Sequence, residues 1–286
     1  MTRIAWVDVF ASGPMTGNPL AVVLDADDWP TVRMQALAAE LGISETAFVL
    51  PAGGDGDRRV RIFTPARELP MAGHPVVGAA WVLHAAGATG GQALLETRAG
   101  PVPVRVRGAV ATIEVPGPVA GPVVDAAEAA AALGLPPQAG EARVWGVGVP
   151  QLMLAAADGD ALAAARPDQD ALRRLGERDG WVGVSVYALA DAAQGRLRAD
   201  VRHFAPSIGV PEDPVTGSAA GALGACLAAD GRAGPDGRLE LVVRQRTAGG
   251  RGGEVAVQVA VVAGAPARVQ VGGRVVPLFE GRFVDT

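Results

Sequence analysis

Two stretches of the chain are alike: FTPARELPMAGHPVVGAAWVLHAAG at residues 63–87 and FAPSIGVPEDPVTGSAAGALGACLAADG at residues 204–231. Each runs from a strand-like end through a loop to a glycine and a polar residue, and then into a helix of mostly small apolar residues. A helix that is apolar all round is buried on every side. The repeat therefore predicts two similar domains, each built around one buried helix, with chance similarity of two loop-to-helix joins as the alternative.

The two helix starts also predict the kind of ligand. If the repeat is real, two helix N-termini face each other across a cleft between like domains. Their unpaired N–H groups and the positive ends of the helix dipoles favour an anion. A small molecule with a carboxylate is therefore the expected substrate.

The rest of the chain fits a protein with two domains of mixed structure. At 286 residues it exceeds the usual size of a single core. The segment PTVRMQALAAELG, residues 30–42, predicts a helix with Met34, Leu37, Ala38 and Leu41 on one face. The proline- and glycine-rich segment PGPVAGPV, residues 116–123, is typical of a linker. After it, Asp125 is the predicted N-cap of a second helix, with Glu128 three residues on.

Alternating apolar residues predict strands throughout both halves. The predicted strands are 4–10, 20–24, 47–50, 59–63, 102–107, 111–115, 143–149, 182–189, 201–204, 239–243, 255–262 and 267–271. The segment GVSVY around Ser185 lies in one of them. It lacks the second glycine of a nucleophile elbow, so we interpret it as ordinary strand.

Composition excludes several classes of enzyme. The chain has no lysine, so all 25 basic residues are arginine. Pyridoxal phosphate enzymes, Schiff-base aldolases and P-loop nucleotidases each need a lysine. The three histidines, His74, His84 and His203, are scattered and form no metal-binding motif. We expect neither a metal nor an organic cofactor.

Charge, hydropathy and cysteine content narrow the setting. A net charge of -5 with no basic cluster argues against nucleic acid as a partner. No apolar run reaches the roughly 18 residues of a membrane span, and no secretion signal precedes the first strand, so we expect a cytoplasmic protein without a membrane partner. Cys226 is the only cysteine, and its apolar surroundings indicate a buried side chain rather than a catalytic thiol.

Four polar residues near the repeated joins are candidates for chemistry: Glu45, His74, Asp213 and Ser218. Each also has an ordinary structural interpretation. Glu45 could be a solvated loop carboxylate, His74 or Ser218 an N-cap, and Asp213 the start of an Asx turn. The residues alone leave both interpretations open.

Four long motifs resolve this by resemblance. VDVFASGPMTGNPLAVV, LGISETAFVL, RIFTPARELPMAGHPVVGAAW and RHFAPSIGVPEDPVTGSAAG follow one another along the chain, which resembles the PhzF-like phenazine biosynthesis family, relatives of diaminopimelate epimerase. The resemblance implies an α+β fold with two pseudo-symmetric domains. Each is a mixed, mostly antiparallel sheet curled around a central apolar helix, with candidate helices at 74–86 and 218–229. The expected domains are 1–117, joined by a last strand at about 276–286, and 118–275.

The resemblance also implies a function. It predicts a cofactor-free isomerase that moves a proton between carbons of a small cyclic carboxylate, with trans-2,3-dihydro-3-hydroxyanthranilate as the expected substrate and a homodimer as the expected assembly. Another small amino or carboxylic acid, or a non-catalytic binding role, remains the alternative. The implied residue roles are proton transfer by Glu45, substrate contacts by His74 and Asp213, and carboxylate binding at Gly73, Gly217 and Ser218.

One departure separates this chain from the epimerase relatives. Those enzymes resemble it at the same two joins but exchange a proton with a pair of cysteines. The matching positions here are Ala72 and Thr216, which cannot act as thiolates. The resemblance therefore implies proton transfer by one carboxylate on one face of the substrate.

Overall fold

The computed structural model describes residues 2–115, 117–136, 141–193, 196–234 and 236–284. The chain divides into two compact units. Unit 1 is Met1–Glu114 with Gly272–Thr286, and unit 2 is Val115–Val271. Each unit is built from a mixed sheet with one very apolar helix against its inner face, which confirms the predicted α+β class.

Unit 1 contains a sheet that closes on itself. Its strands are β1 (Arg3–Val9), β2 (Asn18–Leu24), β3 (Glu45–Leu50), β4 (Arg58–Phe63), β5 (Glu68–Leu69), β6 (Gln92–Thr97), β7 (Gly100–Arg107), β8 (Val110–Val115) and the C-terminal part of β17 (Ala265–Arg282). The hydrogen-bonded order is β4, β3, β2, β1, β17, β8, β7, β6 and back to β4. The β2–β3 and β4–β6 pairs are parallel. β5 forms a short extra ladder on β4.

Helix α2 (Gly73–Ala85) lies against the inner face of this sheet and contacts β1, β2, β3 and β7. Nine of its residues are buried, as the prediction of an all-round apolar helix requires. Gly78 allows the close approach, because a Cβ there would lie 2.4 Å from Leu20 Cδ2. The predicted helix at 74–86 is therefore confirmed to within one residue.

Helix α1 (Thr31–Leu41) packs on the outer face of unit 1 and begins after Pro30. Met34 and Ala38 are buried in a cluster with Phe48 and Phe63. Gly42 ends the helix in the left-handed conformation, and its N–H bonds the carbonyl of Ala38. The predicted helical face is thus the one that faces the sheet.

Unit 2 has a similar arrangement. Its strands are β9 (Val119–Asp125), β10 (Glu141–Val147), β11 (Val149–Ala155), β12 (Gly183–Ala193), β13 (Arg196–Ala205), β14 (Val210–Asp213), β15 (Arg238–Arg246), β16 (Gly252–Val262) and the start of β17. Neighbouring strands run β9, β10, β11, β12, β13, β15, β16, with β14 also paired to β13. The β11–β12 and β13–β15 pairs are parallel.

The α-helices in the described part of unit 2 are α3 (Ala126–Ala132), α4 (Gly159–Ala164), α5 (Gln169–Asp179) and α6 (Gly217–Leu227). The first three cover one face of the sheet, where Leu162, Leu172 and Phe204 share a core. α6 packs on the other face against β10, β11, β15 and β16. Asp125 caps α3 as predicted, accepting a hydrogen bond from the N–H of Ala127, whereas Glu128 pairs with Arg178.

Three details differ from the sequence prediction. Residues 119–123 of the predicted linker belong to β9, which continues to Asp125; Pro116, at the start of the linker, lies outside the described residues. β9 is exposed along most of its length, and an edge strand tolerates proline because its outer N–H groups need no partner. The strands expected at 267–271 and about 276–286 are one continuous strand, β17. α4 and α5 were not predicted. In the part of the chain that the structure describes, every helix is too short or too polar to span a bilayer.

Candidate active site

Glu45 is the first residue of β3 and lies opposite Leu20 on the parallel strand β2. Its side chain is 18% exposed, so it is neither a solvated loop carboxylate nor sealed in the core. Burial raises the pKa of Glu45, and a hydrogen bond with the Ser44 side chain partly opposes the rise. A carboxylate with a raised pKa is a better proton acceptor near neutral pH than an ordinary glutamate.

His74 brings a second functional group to the same place. It is the second residue of α2, and its side chain is 6% exposed. Its Nε2 atom lies 3.6 Å from Glu45 Oε2. The two residues are separated by 28 others in the sequence, and they meet because α2 starts beside the beginning of β3. The structure therefore places two of the predicted catalytic side chains next to each other.

Ser44 and Asn18 support Glu45, and sequence reasoning gave neither a role. The Ser44 hydroxyl donates a hydrogen bond to Asn18 Oδ1 at 3.1 Å, and Asn18 is buried at the start of β2. A hydroxyl has one proton and can turn it toward either acceptor. Ser44 can therefore donate its hydrogen bond to the Glu45 carboxylate when that group is charged.

The predicted residues of unit 2 lie in one loop-to-helix join. Asp213 is the last residue of β14, and Thr216 precedes the first residue of α6, Gly217. The Thr216 hydroxyl donates a short hydrogen bond to Asp213 Oδ2. The Asp213 carboxylate is thus held by the residue directly before α6, the central helix of unit 2.

Gln245 fixes this loop from the neighbouring strand β15, and it was not predicted. Its Nε2 donates to the Asp213 carbonyl at 2.8 Å and to Thr216 Oγ1 at 3.0 Å. Its Oε1 accepts from the Thr216 N–H at 3.1 Å. Gln245 is 1% exposed, and only the strand pairing, which sequence does not give, brings it to residues about 30 positions earlier.

The two helix starts have the same form. Gly73 and Gly217 are the first residues of α2 and α6, and His74 and Ser218 are the second, so neither His74 nor Ser218 is an N-cap. The N-caps are Ala72 and Thr216, and within the described chain neither side chain bonds the helix that follows it. The first N–H groups of a helix lack partners inside the helix. Both starts can therefore donate to an anion.

The only cysteine is unsuited to proton exchange. Cys226 lies near the end of α6 and is 5% exposed. Burial, assisted by nearby Asp230, raises the pKa of its thiol to about 12. The prediction of a buried thiol is confirmed. Across the described ranges, no group of three or more His, Cys, Asp or Glu side chains is arranged to hold a metal ion.

Comparison with known proteins supports one family. Residues 7–281 match the model of the phenazine biosynthesis-like proteins, PhzC-PhzF. An uncharacterized isomerase of Deinococcus radiodurans is 40% identical over 293 residues, covering 96% of this chain and 92% of its own.

A second relative and a solved structure agree. A trans-2,3-dihydro-3-hydroxyanthranilate isomerase of Pseudomonas aeruginosa is 40% identical over 235 residues, covering 80% of each chain. The crystal structure of a phenazine biosynthesis protein of the PhzF family from Bacillus anthracis matches with a TM-score of 0.85 at 26% identity. The match covers 100% of both chains.

Proposed function

The chain belongs to the PhzC-PhzF family of phenazine biosynthesis-like proteins, and from this premise we propose that it is an isomerase that moves a proton between carbons of a small cyclic carboxylate. The observation that carries the proposal is the pair formed by Glu45 and His74, whose side chains lie 3.6 Å apart. Glu45 is half-buried at the start of β3, and His74 is buried at the start of α2. The proposed substrate is trans-2,3-dihydro-3-hydroxyanthranilate, on which the Pseudomonas aeruginosa relative is named as acting.

Glu45 is the proposed proton carrier. As a carboxylate it takes a proton from a C–H bond that the conjugated substrate makes acidic, and as a carboxylic acid it returns the proton to another carbon. The double bonds shift and no atom is gained or lost, so the reaction needs no cofactor. Its raised pKa suits both steps, because an efficient acid/base group has a pKa near the working pH.

His74 and Asp213 are the proposed substrate contacts. His74 is close enough to Glu45 to share the substrate atom that exchanges the proton. The hydrogen bonds from Thr216 and Gln245 hold the carboxyl and the carbonyl of Asp213 in a defined position, which is what a residue that steers a substituent needs.

The two helix starts are the proposed carboxylate-binding elements. Gly73 contributes backbone N–H in unit 1, and Gly217 and Ser218 contribute backbone N–H in unit 2. Oriented N–H groups at a helix start stabilise negative charge both in the bound substrate and in the transition state.

A different substrate is the second candidate. The uncharacterized Deinococcus radiodurans isomerase matches 96% of this chain, and the hydroxyanthranilate isomerase matches 80%. The longer match to the uncharacterized isomerase supports another small amino or carboxylic acid as the alternative substrate. The reaction type and the role of Glu45 are the same in both cases. A purely binding role predicts substrate affinity without proton exchange.

The test is Glu45→Gln, which keeps the shape of the side chain and removes the base. Purified protein is incubated with trans-2,3-dihydro-3-hydroxyanthranilate in deuterated water, and deuterium in the product is followed by mass spectrometry. We expect Glu45→Gln to lower turnover by about 10²- to 10⁴-fold and Glu40→Gln, on the exposed face of α1, to leave it unchanged. Turnover near the wild-type rate in Glu45→Gln contradicts the proposal, and binding without exchange in the wild type supports the binding role.

A further inference from the structure

The two units share a strand framework that aligns residue by residue. In unit 1, β2, β3, β4 and β5 pair in the order parallel, antiparallel, antiparallel, and β11, β12, β13 and β14 of unit 2 pair in the same order. The registers match Leu20 with Gln151, Glu45 with Gly183, Ala47 with Ser185, Ile62 with His203 and Leu69 with Asp213.

Three matched positions differ in polarity but not in burial. The unit 1 side chains at these positions are apolar and at most 1% exposed, whereas Gln151, Ser185 and His203 of unit 2 are at most 3% exposed. Burying polar groups costs free energy unless they are hydrogen-bonded. Unit 1 shows that the same framework forms with apolar side chains, so the fold does not require these three polar residues, called the polar layer below.

His203 is held firmly in the polar layer. Its Nδ1 atom lies 2.9 Å from Ser185 Oγ on the neighbouring strand. The ring lies over Gly183, where a Cβ would be 2.8 Å from its Cε1 and 2.9 Å from its Nε2. Gly183 stands at the position of Glu45, so the glycine provides the space that the imidazole occupies. Burial lowers the pKa of His203 to about 4, which leaves the ring neutral near pH 7.

Gln151 shows that the polar layer costs stability. Its Oε1 atom also lies 2.7 Å from the place where a Gly183 Cβ would be. This oxygen is buried and has no hydrogen-bond partner among the described protein atoms. A buried polar atom without a partner costs about 1–3 kcal/mol. The leucine at the matching position of unit 1 carries no such cost.

The change from apolar to polar extends to Asp213. In unit 1, Ile62 lies directly opposite Leu69, and in unit 2, His203 lies directly opposite Asp213. Residues directly opposite each other on antiparallel strands share a face, with Cβ atoms about 4.5–5.5 Å apart. Both members of this cross-strand pair are therefore apolar in one unit and polar in the other.

We propose that His203, fixed by Ser185, is a positioning residue for Asp213. Directly opposite Asp213 on the neighbouring strand, the imidazole limits the orientations that the carboxylate can take. Because burial keeps the ring neutral near pH 7, it does so without placing a positive charge beside the carboxylate. The inference rests on the proposed function, since it assigns His203 a role through a residue proposed to contact the substrate.

The test replaces the polar pair by the residues of unit 1, as the combined change His203→Ile and Ser185→Ala. We expect kcat/KM for trans-2,3-dihydro-3-hydroxyanthranilate to fall about 10- to 100-fold, since small misplacement of a contact residue has effects of this size. Asp213→Asn is then made in both backgrounds. If Asp213 depends on His203, its loss costs at least about tenfold less in the changed background than in the wild type.

Two further variants separate positioning from a general loss of structure. Arg196→Gln removes an exposed ion pair with Glu240 elsewhere on β13, and we expect its effect to multiply with that of Asp213→Asn. His203→Asn keeps an acceptor for Ser185, and we expect it to recover part of the lost kcat/KM. If the fold-change in kcat/KM from the His203/Ser185 change multiplies with that from Asp213→Asn, the two sites act independently and the proposal is overturned.

A readout without turnover separates this inference from the proposed function. The ring nitrogens of His203 are followed by NMR in the wild type and in Asp213→Asn. A changed chemical shift supports the proximity of the two side chains even if the wild type does not turn over the proposed substrate, in which case the proposed function fails alone. If there is no turnover, an unchanged shift overturns the inference.

Discussion

The two units share one strand framework but carry their acidic side chains at different positions of it. At the first position of the second framework strand, β3 or β12, unit 1 has Glu45 and unit 2 has Gly183. At the last position of the fourth framework strand, β5 or β14, unit 1 has Leu69 and unit 2 has Asp213. The acidic group has therefore changed place between matching strands while the strand pairing stayed the same. The proposed site residues Glu45 and Asp213 therefore lie at framework positions where the two units differ.

The agreement is clearest at one ion pair. Arg61 and Glu68 of unit 1 match Arg202 and Glu212 of unit 2, and the pairs have N–O distances of 2.8 and 2.7 Å. Each guanidinium also lies over a phenylalanine two positions on, Phe63 or Phe204, at 5.1 and 5.0 Å. In both units the glutamate belongs to the short strand that leads to the central helix. The repeated pair anchors that strand.

Removing the arginines is expected to have the largest effect on stability. Arg202→Met takes the ion-pair partner from the half-buried Glu212, which still accepts a hydrogen bond from the Ala248 N–H at 3.1 Å. It also removes the bond to the Ala165 carbonyl at 2.8 Å, so we expect a loss of about 3–5 kcal/mol in urea unfolding. Arg61 is more exposed, 19% against 7%, and Arg61→Met should cost about 1–3 kcal/mol. Equal losses would show that burial does not distinguish the two pairs.

The buried histidine of unit 2 is expected to make the folded protein less stable in acid. The pKa of His203 falls from 6.5 to about 4 on folding because the ring is buried. Its contribution is present above pH 6.5 and is lost as the pH falls through about 4, because the unfolded chain binds the proton more readily. The loss amounts to roughly 3 kcal/mol.

His203→Ile should remove that part of the pH dependence. Urea unfolding at pH 7 and pH 4 measures the difference between wild type and variant at each pH. Ile62→Val, at the matching position of unit 1, is the control and should shift stability equally at both values. A variant that loses as much stability on acidification as the wild type would exclude His203 as the cause.

Sequence predicted both central helices, many of the strands and the candidate site residues, but not how side chains meet across strands. The apolar composition of α2 and α6 gave both central helices, and the motifs gave Glu45, His74 and Asp213. Gln245 and the pair of Ser185 with His203 were missed because their contacts depend on strand register. Ser185 and His203 are 18 residues apart, and nothing in either segment alone indicates the other. The linker was misjudged because proline and glycine content does not distinguish an exposed edge strand from a loop.

The last and smallest effect expected is at Glu45, where chemistry and stability oppose each other. Burial raises the pKa of Glu45 above the ordinary 4.5, so the folded state favours the protonated form. The stability it contributes is full below pH 4.5 and is lost as the pH rises through the folded pKa. Glu45→Gln, which never ionises, should therefore unfold at a higher temperature than the wild type at pH 8. The gain should shrink toward zero near pH 4.

Calorimetry at the two pH values, with Glu40→Gln as the exposed control, tests this. The matching position of unit 2 has no such cost, because its glycine carries no charge to bury. A Glu45→Gln protein less stable than the wild type at pH 8 would mean that hydrogen bonds to the carboxylate, including the one from Ser44, outweigh the cost of burying it. The raised pKa would then have to be rejected, and with it the reason for placing the proton carrier at this residue.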